Sequence, residues 1–377
     1  MPDHQKQQEF EQVVKLYNSW FPKQINSRSL LDRWDECQMY IHVASKLAKS
    51  FQEYSKDRPP IQTLPELGEL LKNSVWYLYE CGQLDDALEL LEIAYETVPD
   101  KQSALYAHLC NSAAVIYYEQ NDLKHCRDFN EKSLQIREAV LAPNDLDLVS
   151  SYHNLGGLAS AQGRYDEALE LLTKTEEIRI KAGPEAVVSL GLTHMMIGRV
   201  HFLRKQYSAA LERYDMAEDI FTLSPGPMSQ LMAHLIYAFG NLECAQGNLT
   251  AAKEFYETGH KRSHDLGPTH ILTATFDYKL GVVEAHLQNY AKAMDRLQNA
   301  LAVVERHNAR GDIARILRRQ AIVIRENPLS TPAQMKEADK LMEKAETIRA
   351  QLSDRVDEDP SLPEDLVYDD LVCGYFR

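Results

Sequence analysis

The stretch LGPTHILTATFDYKLG, residues 266–281, contains three side chains that could carry out acid–base chemistry. His270, Tyr278 and Lys279 can each donate or accept a proton in an enzyme once a fold brings them together. Whether they do so depends on the elements that position them. A second copy of the stretch identifies those elements.

A related stretch, LAPNDLDLVSSYHNLG, occupies residues 141–156, which lie 125 positions earlier in the chain. The two ends of the stretch match, whereas Asp145, His153 and Asn154 stand where the three acid–base residues were. A constant spacing with changing chemistry indicates a repeated structural unit rather than an active site.

The pair Gly267–Pro268 favours a connection between two helices. Glycine suits the left-handed position that follows a helix, and proline cannot continue the helix. We therefore expect Thr269 or Thr273 to cap or begin the next helix. The histidine in this stretch is interpreted as part of the connection.

A second signature follows each copy, in segments such as QGRYDEALELL and QGNLTAAKEFY, where Tyr or Leu stands three residues before a small residue. The small residues are Ala87, Cys126, Ala168, Ala210, Ala252 and Ala293, with a looser seventh at Ala338. Their spacing is about 42 residues, and self-similarity at such a period indicates a solenoid of repeats. Apolar residues between them recur at helical spacing and predict two helices per repeat.

Four glycines, each placed twelve residues before a small residue, support this register. They are Gly156, Gly198, Gly240 and Gly281. A glycine inside a helix costs about 1 kcal/mol relative to alanine, so its recurrence requires a packing reason. We predict that the two helices of a repeat cross closely at these pairs of positions.

The pattern Leu-Gly, Tyr, Ala-Leu, Tyr or Leu, Ala resembles a tetratricopeptide repeat over residues 61–350. The LGP-x-H linker and the long period are similar to the repeats of kinesin light chains. The segment SLLDRWDECQMYIHVASKLAKSF resembles the helix that leads into the repeats of fungal nucleotide-binding tetratricopeptide receptors, although the sequence has no phosphate loop. These resemblances imply an all-α, right-handed α–α superhelical solenoid of helix pairs that acts as a free-standing sensor or adaptor.

Three regions follow from the patterns. Residues 1–60 are predicted to form an N-terminal helical cap, with one apolar stripe that includes Val13 and another that includes Trp34. Residues 61–350 form the array of about seven helix pairs. Residues 351–377 form an acidic and aromatic tail.

Composition limits the function classes. The formal net charge of -15 disfavours nucleic-acid binding, and no stretch of 18 apolar residues predicts membrane insertion. The six cysteines lack a C-x-x-C pair, which indicates reduced core residues. We expect a soluble protein in the cytoplasm, with the nucleus left open.

The groove formed by the first helices of the repeats is the predicted binding site. Asparagine can clamp a peptide backbone, aromatic and methionine side chains form adaptable pockets, and cationic side chains pair with carboxylates. The predicted groove residues are Asn111, Tyr118, His153, Asn154, Met196, Arg199, Phe202, His234, Tyr237, Asn241, Tyr278 and Lys279. Packing of a third to a half of the aromatic residues between repeats is the competing interpretation.

No residue pattern favours a metal, cofactor or catalytic centre. His260 and His264 stand four residues apart, but no third ligand follows at a suitable spacing, so they are interpreted as the end of a helix. Common catalytic motifs are absent from the sequence. We expect no metal and no cofactor.

The tail is predicted to dock on the last repeat, because its end, DLVYDDLVCGYFR, has too much apolar surface for a free segment. Its carboxylates are expected near Arg315, Arg318 or Arg319. The tail would thus be an intramolecular partner that caps the last repeat, and it could shield part of the groove from acidic partner peptides. A disordered acidic tail whose aromatic residues await a partner is the alternative.

Two functions remain open at this point. The first is a non-catalytic scaffold or adaptor that binds a peptide segment of another protein in the groove. The second is an enzyme or a small-molecule-binding component of a biosynthetic pathway, which would use His153, His234, Tyr237 and Lys279 in a closed part of the groove.

Overall fold

The computed structural model describes residues 3–25, 30–56, 61–223, 229–264, 267, 269–352 and 367–376. These residues are all-helical with no strand, which confirms the predicted fold class. The α-helices are α1 Asp3–Trp20, α2 Trp34–Tyr54, α3 Pro65–Glu80, α4 Leu84–Thr97, α5 Ala104–Glu119, α6 Leu123–Val140, α7 Leu146–Ala161, α8 Tyr165–Ala182, α9 Val187–Leu203, α10 Tyr207–Leu223, α11 Ser229–Ala245, α12 Leu249–His264, α13 Ile271–His286, α14 Tyr290–Arg306, α15 Arg310–Glu326 and α16 Pro332–Leu352.

The helices α3 to α16 follow one another as seven pairs, and a left-handed residue ends the first helix of most pairs. Gly82, Gly163 and Gly247 have φ angles of 71°, 73° and 83° there. In the turn of α7 and α8, the amide of Arg164 donates to the carbonyl of Ala159 over 2.9 Å. This bond belongs to the Schellman ending of a helix, which reverses the chain sharply enough to pair two helices.

The predicted close crossing of each pair is present, with one difference in the partner. A Cβ atom on Gly198 would lie 3.1 Å from the carbonyl oxygen of Ala210 but only 2.6 Å from the ring of Tyr214. A Cβ atom on Gly240 would lie 2.4 Å from the ring of Tyr256. The glycines therefore make room mainly for the side chain four residues after the small residue.

The described chain separates into two compact units. Unit 1 consists of Met1–Tyr117, His125–Leu155 and Glu177–Ser189, and unit 2 of Tyr118–Lys124, Gly156–Glu176 and Leu190–Arg377, apart from their undescribed residues.

In unit 1, the first two helices pack on the first pair. Phe10 and Val14 of α1 and Cys37 of α2 are buried in one core with Leu67 and Leu70 of α3. For two residues of the predicted apolar stripes, the prediction that they are buried is wrong. Val13 and Trp34 keep 39% and 44% of their surface exposed, because each lies at the edge of its stripe.

The connection before α13 corrects a second sequence prediction. His270, not a threonine, is the N-cap, and its Nδ1 accepts the amide of Leu272 over 3.2 Å. Thr273 instead donates its hydroxyl to the carbonyl of Gly267. Gly267 has a φ of 126°, in the left-handed region, whereas Pro268 lies outside the described residues.

One stretch, Tyr165–Leu203, is long and apolar enough to span a membrane by length and composition alone. It contains α8 and α9, separated by a 3-10 turn at Gly183–Ala186. Within its most apolar 18 residues, 61% is buried inside the protein, as is usual for core helices.

The close approach of the two helices at Gly240 predicts that a glycine-to-alanine substitution affects stability differently at two positions of unit 2. Gly240→Ala should lower the free energy of unfolding, because overpacking against Tyr256 costs about 1–3 kcal/mol and exceeds the gain in helix propensity of about 1 kcal/mol. Gly157→Ala is the control, since its Cβ would meet only the mobile end of Met196 at 3.3 Å. Denaturant unfolding of both variants checks this, and equal stabilities would contradict the assigned crossing.

Candidate functional site

The last described segment, residues 367–376, lies against helices of unit 2 and is called the tail segment below. It contains two 3-10 turns, Asp369–Leu371 and Gly374–Phe376. Most of its side chains are buried, namely Tyr368, Leu371, Val372, Cys373 and Phe376. The tail residues Asp357, Glu358, Asp359, Glu364, Asp365 and Leu366 lie outside the described residues.

Four side chains of unit 2 donate hydrogen bonds to main-chain carbonyls of the tail segment. Asn121 donates to the carbonyl of Asp370 over 2.7 Å, and Arg199 donates to that of Tyr375 over 3.0 Å. Tyr237 and Arg315 both donate to the carbonyl of Phe376, over 2.8 and 2.7 Å. Because these donors contact the backbone, they fix the path of the segment whatever its side chains are.

The two aromatic residues at the end of the segment pack between aromatic side chains of unit 2. The ring of Tyr375 stacks on His234 with centroids 5.6 Å apart and meets Tyr118 edge-on at 5.2 Å. The ring of Phe376 lies edge-on to His234 and Tyr237 at 5.4 and 5.7 Å. Such aromatic pairs contribute about 0.5–1.5 kcal/mol each beyond their buried area.

We call the set of unit 2 side chains that make these contacts the tail-binding surface. It consists of Tyr118, Asn121, Arg199, His234, Tyr237 and Arg315.

The first half of the tail segment packs on the last helix pair. Tyr368 and Leu371 join an apolar cluster with residues of α15 and α16, among them Leu317. The hydroxyl of Tyr368 donates to Glu346 over 2.9 Å, and the guanidinium of Arg318 lies 5.0 Å from the centre of its ring.

Two glycines allow the backbone of the segment to approach closely. A Cβ atom on Gly311, in the first turn of α15, would lie 1.9 Å from the carbonyl oxygen of Leu371. A Cβ atom on Gly374 would lie 2.1 Å from the hydroxyl oxygen of Tyr118. Real Cβ atoms do not make such contacts, so larger residues at these positions would displace the segment.

Arg315 connects the tail segment to charged groups of α15. It is only 2% exposed, and it lies 2.9 Å from a carboxylate oxygen of Asp312 and 3.5 Å from one of Asp369. Its guanidinium also stacks 4.1 Å from the ring centre of Tyr278. A buried guanidinium requires this compensation, and the tail segment supplies part of it.

Burial lowers the pKa of two titratable side chains near the tail segment. Burial, together with His270 and Arg199, lowers the pKa of His234 to about 4, so its ring is neutral at pH 7. Burial lowers the pKa of Lys279 to about 8, although Asp369 acts in the opposite direction. The Lys279 ammonium lies 5.4 Å from the ring centre of Tyr237.

The other predicted residues of unit 2 either lie close to the tail-binding surface or pack within unit 2. Met196 is buried in a cluster against which Tyr375 packs. Arg319 interacts with Tyr278 closely enough to affect its pKa. Phe202 packs on Tyr207, and Asn241 accepts the hydroxyl of Tyr256 over 2.8 Å, and each contact lies within a single helix pair.

Three predicted groove residues, Asn111, His153 and Asn154, belong to unit 1 and make polar contacts there. Asn111 accepts hydrogen bonds from Asn154 and from the buried Arg137, over 2.9 and 3.2 Å. His153 lies 3.4 Å from Arg179, and burial holds the pKa of His153 well below its usual value. These side chains connect neighbouring helices of unit 1.

Among the described residues there is no group of three or more His, Cys, Asp or Glu side chains placed to hold a metal ion. His260 lies 3.3 Å from a carboxylate oxygen of Asp277 and 6.5 Å, between ring centres, from His264.

Sequence reasoning did not find Asn121 or Gly311. Asn121 has a φ of 54° and ends α5, so it reads as a turn residue like the glycines at the equivalent positions. Gly311 falls outside the repeated glycine register. The one signal for it is a glycine in the first turn of a helix, where a side chain would normally be tolerated.

Comparison with known proteins agrees with the helical-repeat fold. Residues 103–181 match the family model of the tetratricopeptide repeat. The chain carries tetratricopeptide repeats. It is also similar to the protein kinesin light chain-related 1 of Arabidopsis thaliana, with 23% identity over 180 residues that cover 47% of this chain and 29% of the relative. The match thus spans less than a third of that relative's length.

Two solved structures share the fold of this tetratricopeptide protein. One is a Rap protein complexed with competence and sporulation factor, with a TM-score of 0.61, 13% identity and coverage of 93% of this chain and 99% of that chain. The other is the Rap conjugation gene regulator of plasmid pLS20 in complex with the Phr* peptide, with a TM-score of 0.58, 16% identity and coverage of 76% of both chains. At this identity the likeness shows the fold alone.

The contact at Gly311 predicts a substitution effect that depends on the tail segment. In the full tetratricopeptide chain, Gly311→Ala should lower the free energy of unfolding by about 1–3 kcal/mol, because the new methyl group overlaps the carbonyl of Leu371. In a chain that ends at residue 366, the same substitution should be neutral or stabilising, since alanine favours the helix. Denaturant unfolding of the four proteins gives the coupling, and equal effects in both backgrounds would contradict the docked segment.

The position of His234 against Tyr375 and Phe376 predicts that docking weakens in acid. Tyr375 and Phe376 contribute to the burial that lowers the pKa of this ring below the ordinary value of 6.5, so protons favour the undocked state as the pH falls from 6.5 towards 4. The difference in unfolding free energy between the full chain and the chain ending at residue 366 should therefore shrink by about 1 kcal/mol from pH 7 to pH 5. His234→Gln should remove most of this pH dependence. A difference that grows in acid would contradict the assignment.

Proposed function

We propose that this protein is a non-catalytic scaffold or adaptor that binds a peptide segment of another protein on the tail-binding surface. The chain's own tail segment is proposed to occupy that surface as an intramolecular partner. The observation that carries the proposal is the set of side-chain donors directed at the main-chain carbonyls of residues 370, 375 and 376.

Donors to backbone carbonyls suit a surface that binds peptides. A peptide from any protein presents carbonyl groups, so the hydrogen bonds seen with the tail segment are available to a partner that follows the same backbone path. The aromatic side chains around them supply apolar contact area with little loss of side-chain freedom. The peptide named in the pLS20 regulator complex shows that a protein of this fold binds a peptide, which supports the proposal by analogy.

The alternative of an enzyme or a small-molecule-binding protein has less support. It relies on His153, His234, Tyr237 and Lys279, and two of these four side chains contact the tail segment. The hydroxyl of Tyr237 donates to the carbonyl of Phe376, and the ring of His234 stacks on Tyr375. These contacts suit the binding of a peptide better than acid–base chemistry on a small molecule.

The proposal predicts binding of the tail sequence in trans. The receptor is the full-length chain with Phe376→Asp, which places a carboxylate among buried rings and so releases its own tail. A labelled synthetic peptide of residues 367–377 should bind to it, as measured by fluorescence anisotropy. Adding Arg199→Gln or Tyr237→Phe should weaken binding about fivefold, the equivalent of one hydrogen bond of about 1 kcal/mol.

Arg204→Gln is the matched control for Arg199→Gln. Arg204 pairs with Asp166 over 2.8 Å and does not belong to the tail-binding surface. Its substitution should leave the affinity unchanged. If the control and the two surface variants lose affinity equally, the peptide does not bind where we propose.

A further inference from the structure

The tail-binding surface distinguishes side chains at only a few positions of the tail segment. Hydrogen bonds to carbonyls accept any residue, so selectivity must come from positions where a side chain is excluded, buried or paired with a charge. Three features of the segment meet this condition. They are a glycine, a pair of aromatic residues and a carboxylate.

The glycine position excludes larger residues. Gly374 is buried, and a Cβ atom there would lie 2.1 Å from the hydroxyl oxygen of Tyr118 and 3.4 Å from the Cβ of Ala161. The Tyr118 ring is itself in contact with Tyr375, so it cannot swing away without losing that pair. A partner peptide therefore needs glycine at this position.

The next two positions select aromatic side chains. Phe376 is only 4% exposed and is bounded by His234 and Tyr237. Tyr375 is less buried, and it lies between His234 and Tyr118. A small or polar residue at the position of Phe376 would leave an apolar cavity or a buried polar group, whereas Tyr, Phe or Trp would fit the half-open position of Tyr375.

A carboxylate is favoured five positions before the glycine. Asp369 lies 3.5 Å from Arg315. Further positive charge comes from nearby cationic side chains, namely Arg199, Lys279 and Arg319. Outside the tail segment, Arg315 pairs with the carboxylate of Asp312. In a protein with a formal net charge of -15, this local excess of cationic groups favours an acidic ligand over a basic one.

We infer that the partner presents an acidic residue, four further residues, a glycine and two aromatic residues, as Asp369 and residues 374–376 do in the tail segment. This inference rests on the proposed function, because it specifies which peptides that surface accepts. The tail segment then carries the same motif as the partner, and a partner binds by displacing the tail segment from the tail-binding surface.

A peptide series tests the motif. The receptor is the full-length chain with Phe376→Asp, and a second full-length receptor with Gly374→Val guards against misfolding of the first. The probe is the synthetic peptide VYDDLVCGYFR, residues 367–377, under reducing conditions. The single changes in the peptide are Gly374→Val, Phe376→Ser, Asp369→Asn, Tyr375→Trp and, as the matched control, Val367→Ala.

The motif predicts a graded result. Gly374→Val and Phe376→Ser should weaken binding at least about tenfold, because overpacking and loss of a buried ring each cost more than about 1.4 kcal/mol. Asp369→Asn should weaken binding about threefold, more at low salt than at high salt. Tyr375→Trp and Val367→Ala should keep the affinity within about twofold, as expected for partly exposed positions.

Two failures can be distinguished. If all peptides, including a scrambled one, bind as tightly as the tail sequence, the motif is wrong and the general peptide scaffold remains. If no peptide binds to either receptor, including the unmodified tail sequence, the proposed function itself is wrong. Tighter binding of a basic peptide than of the tail sequence would overturn the acidic part of the motif.

Discussion

The buried guanidinium of Arg315 is the interaction on which the site in unit 2 depends. A charge that is 2% exposed needs partners in several directions, and Arg315 finds them in Asp312, in Asp369 and in the carbonyl of Phe376. Removing one partner of a buried charge typically costs about 3–5 kcal/mol. The tail segment is therefore part of how this charge is stabilised.

The repeat architecture explains how that surface is built. Each small residue on a second helix lets the first helix of the pair approach closely, and the left-handed turn between them fixes the direction of the return. First helices of successive pairs then offer equivalent positions along the chain. Arg199 on α9, Tyr237 on α11 and Arg315 on α15 come from three different pairs, yet all three donate to the last two residues of the tail segment.

The sequence predicted the helix pairs well because their causes are local. The small residues and the glycines recur at a fixed period, and each reports a packing contact within its own pair. It also predicted Arg199, His234 and Tyr237 as groove candidates, since their positions in the register place them on the first helices, and Arg315 as a partner of the tail carboxylates. The contacts of Gly311 with Leu371 and of Asn121 with Asp370 could not be predicted, because they join residues about 60 and 249 positions apart in the chain without any periodic signal. The capping role of His270 was missed for a different reason, since threonine is the commoner cap and the choice depends on the local backbone.

Hydrogen–deuterium exchange of the full-length chain tests most directly whether the tail segment occupies the surface. The amides of Leu371, Val372 and Phe376 donate to carbonyls within the segment, over 3.3, 3.3 and 2.8 Å, and the side chains of Leu371, Val372 and Phe376 are buried. These three amides should exchange at least about tenfold more slowly than in the free peptide of the same sequence, because docking must open before they exchange. Exchange of all three at the rate of the free peptide would contradict the account.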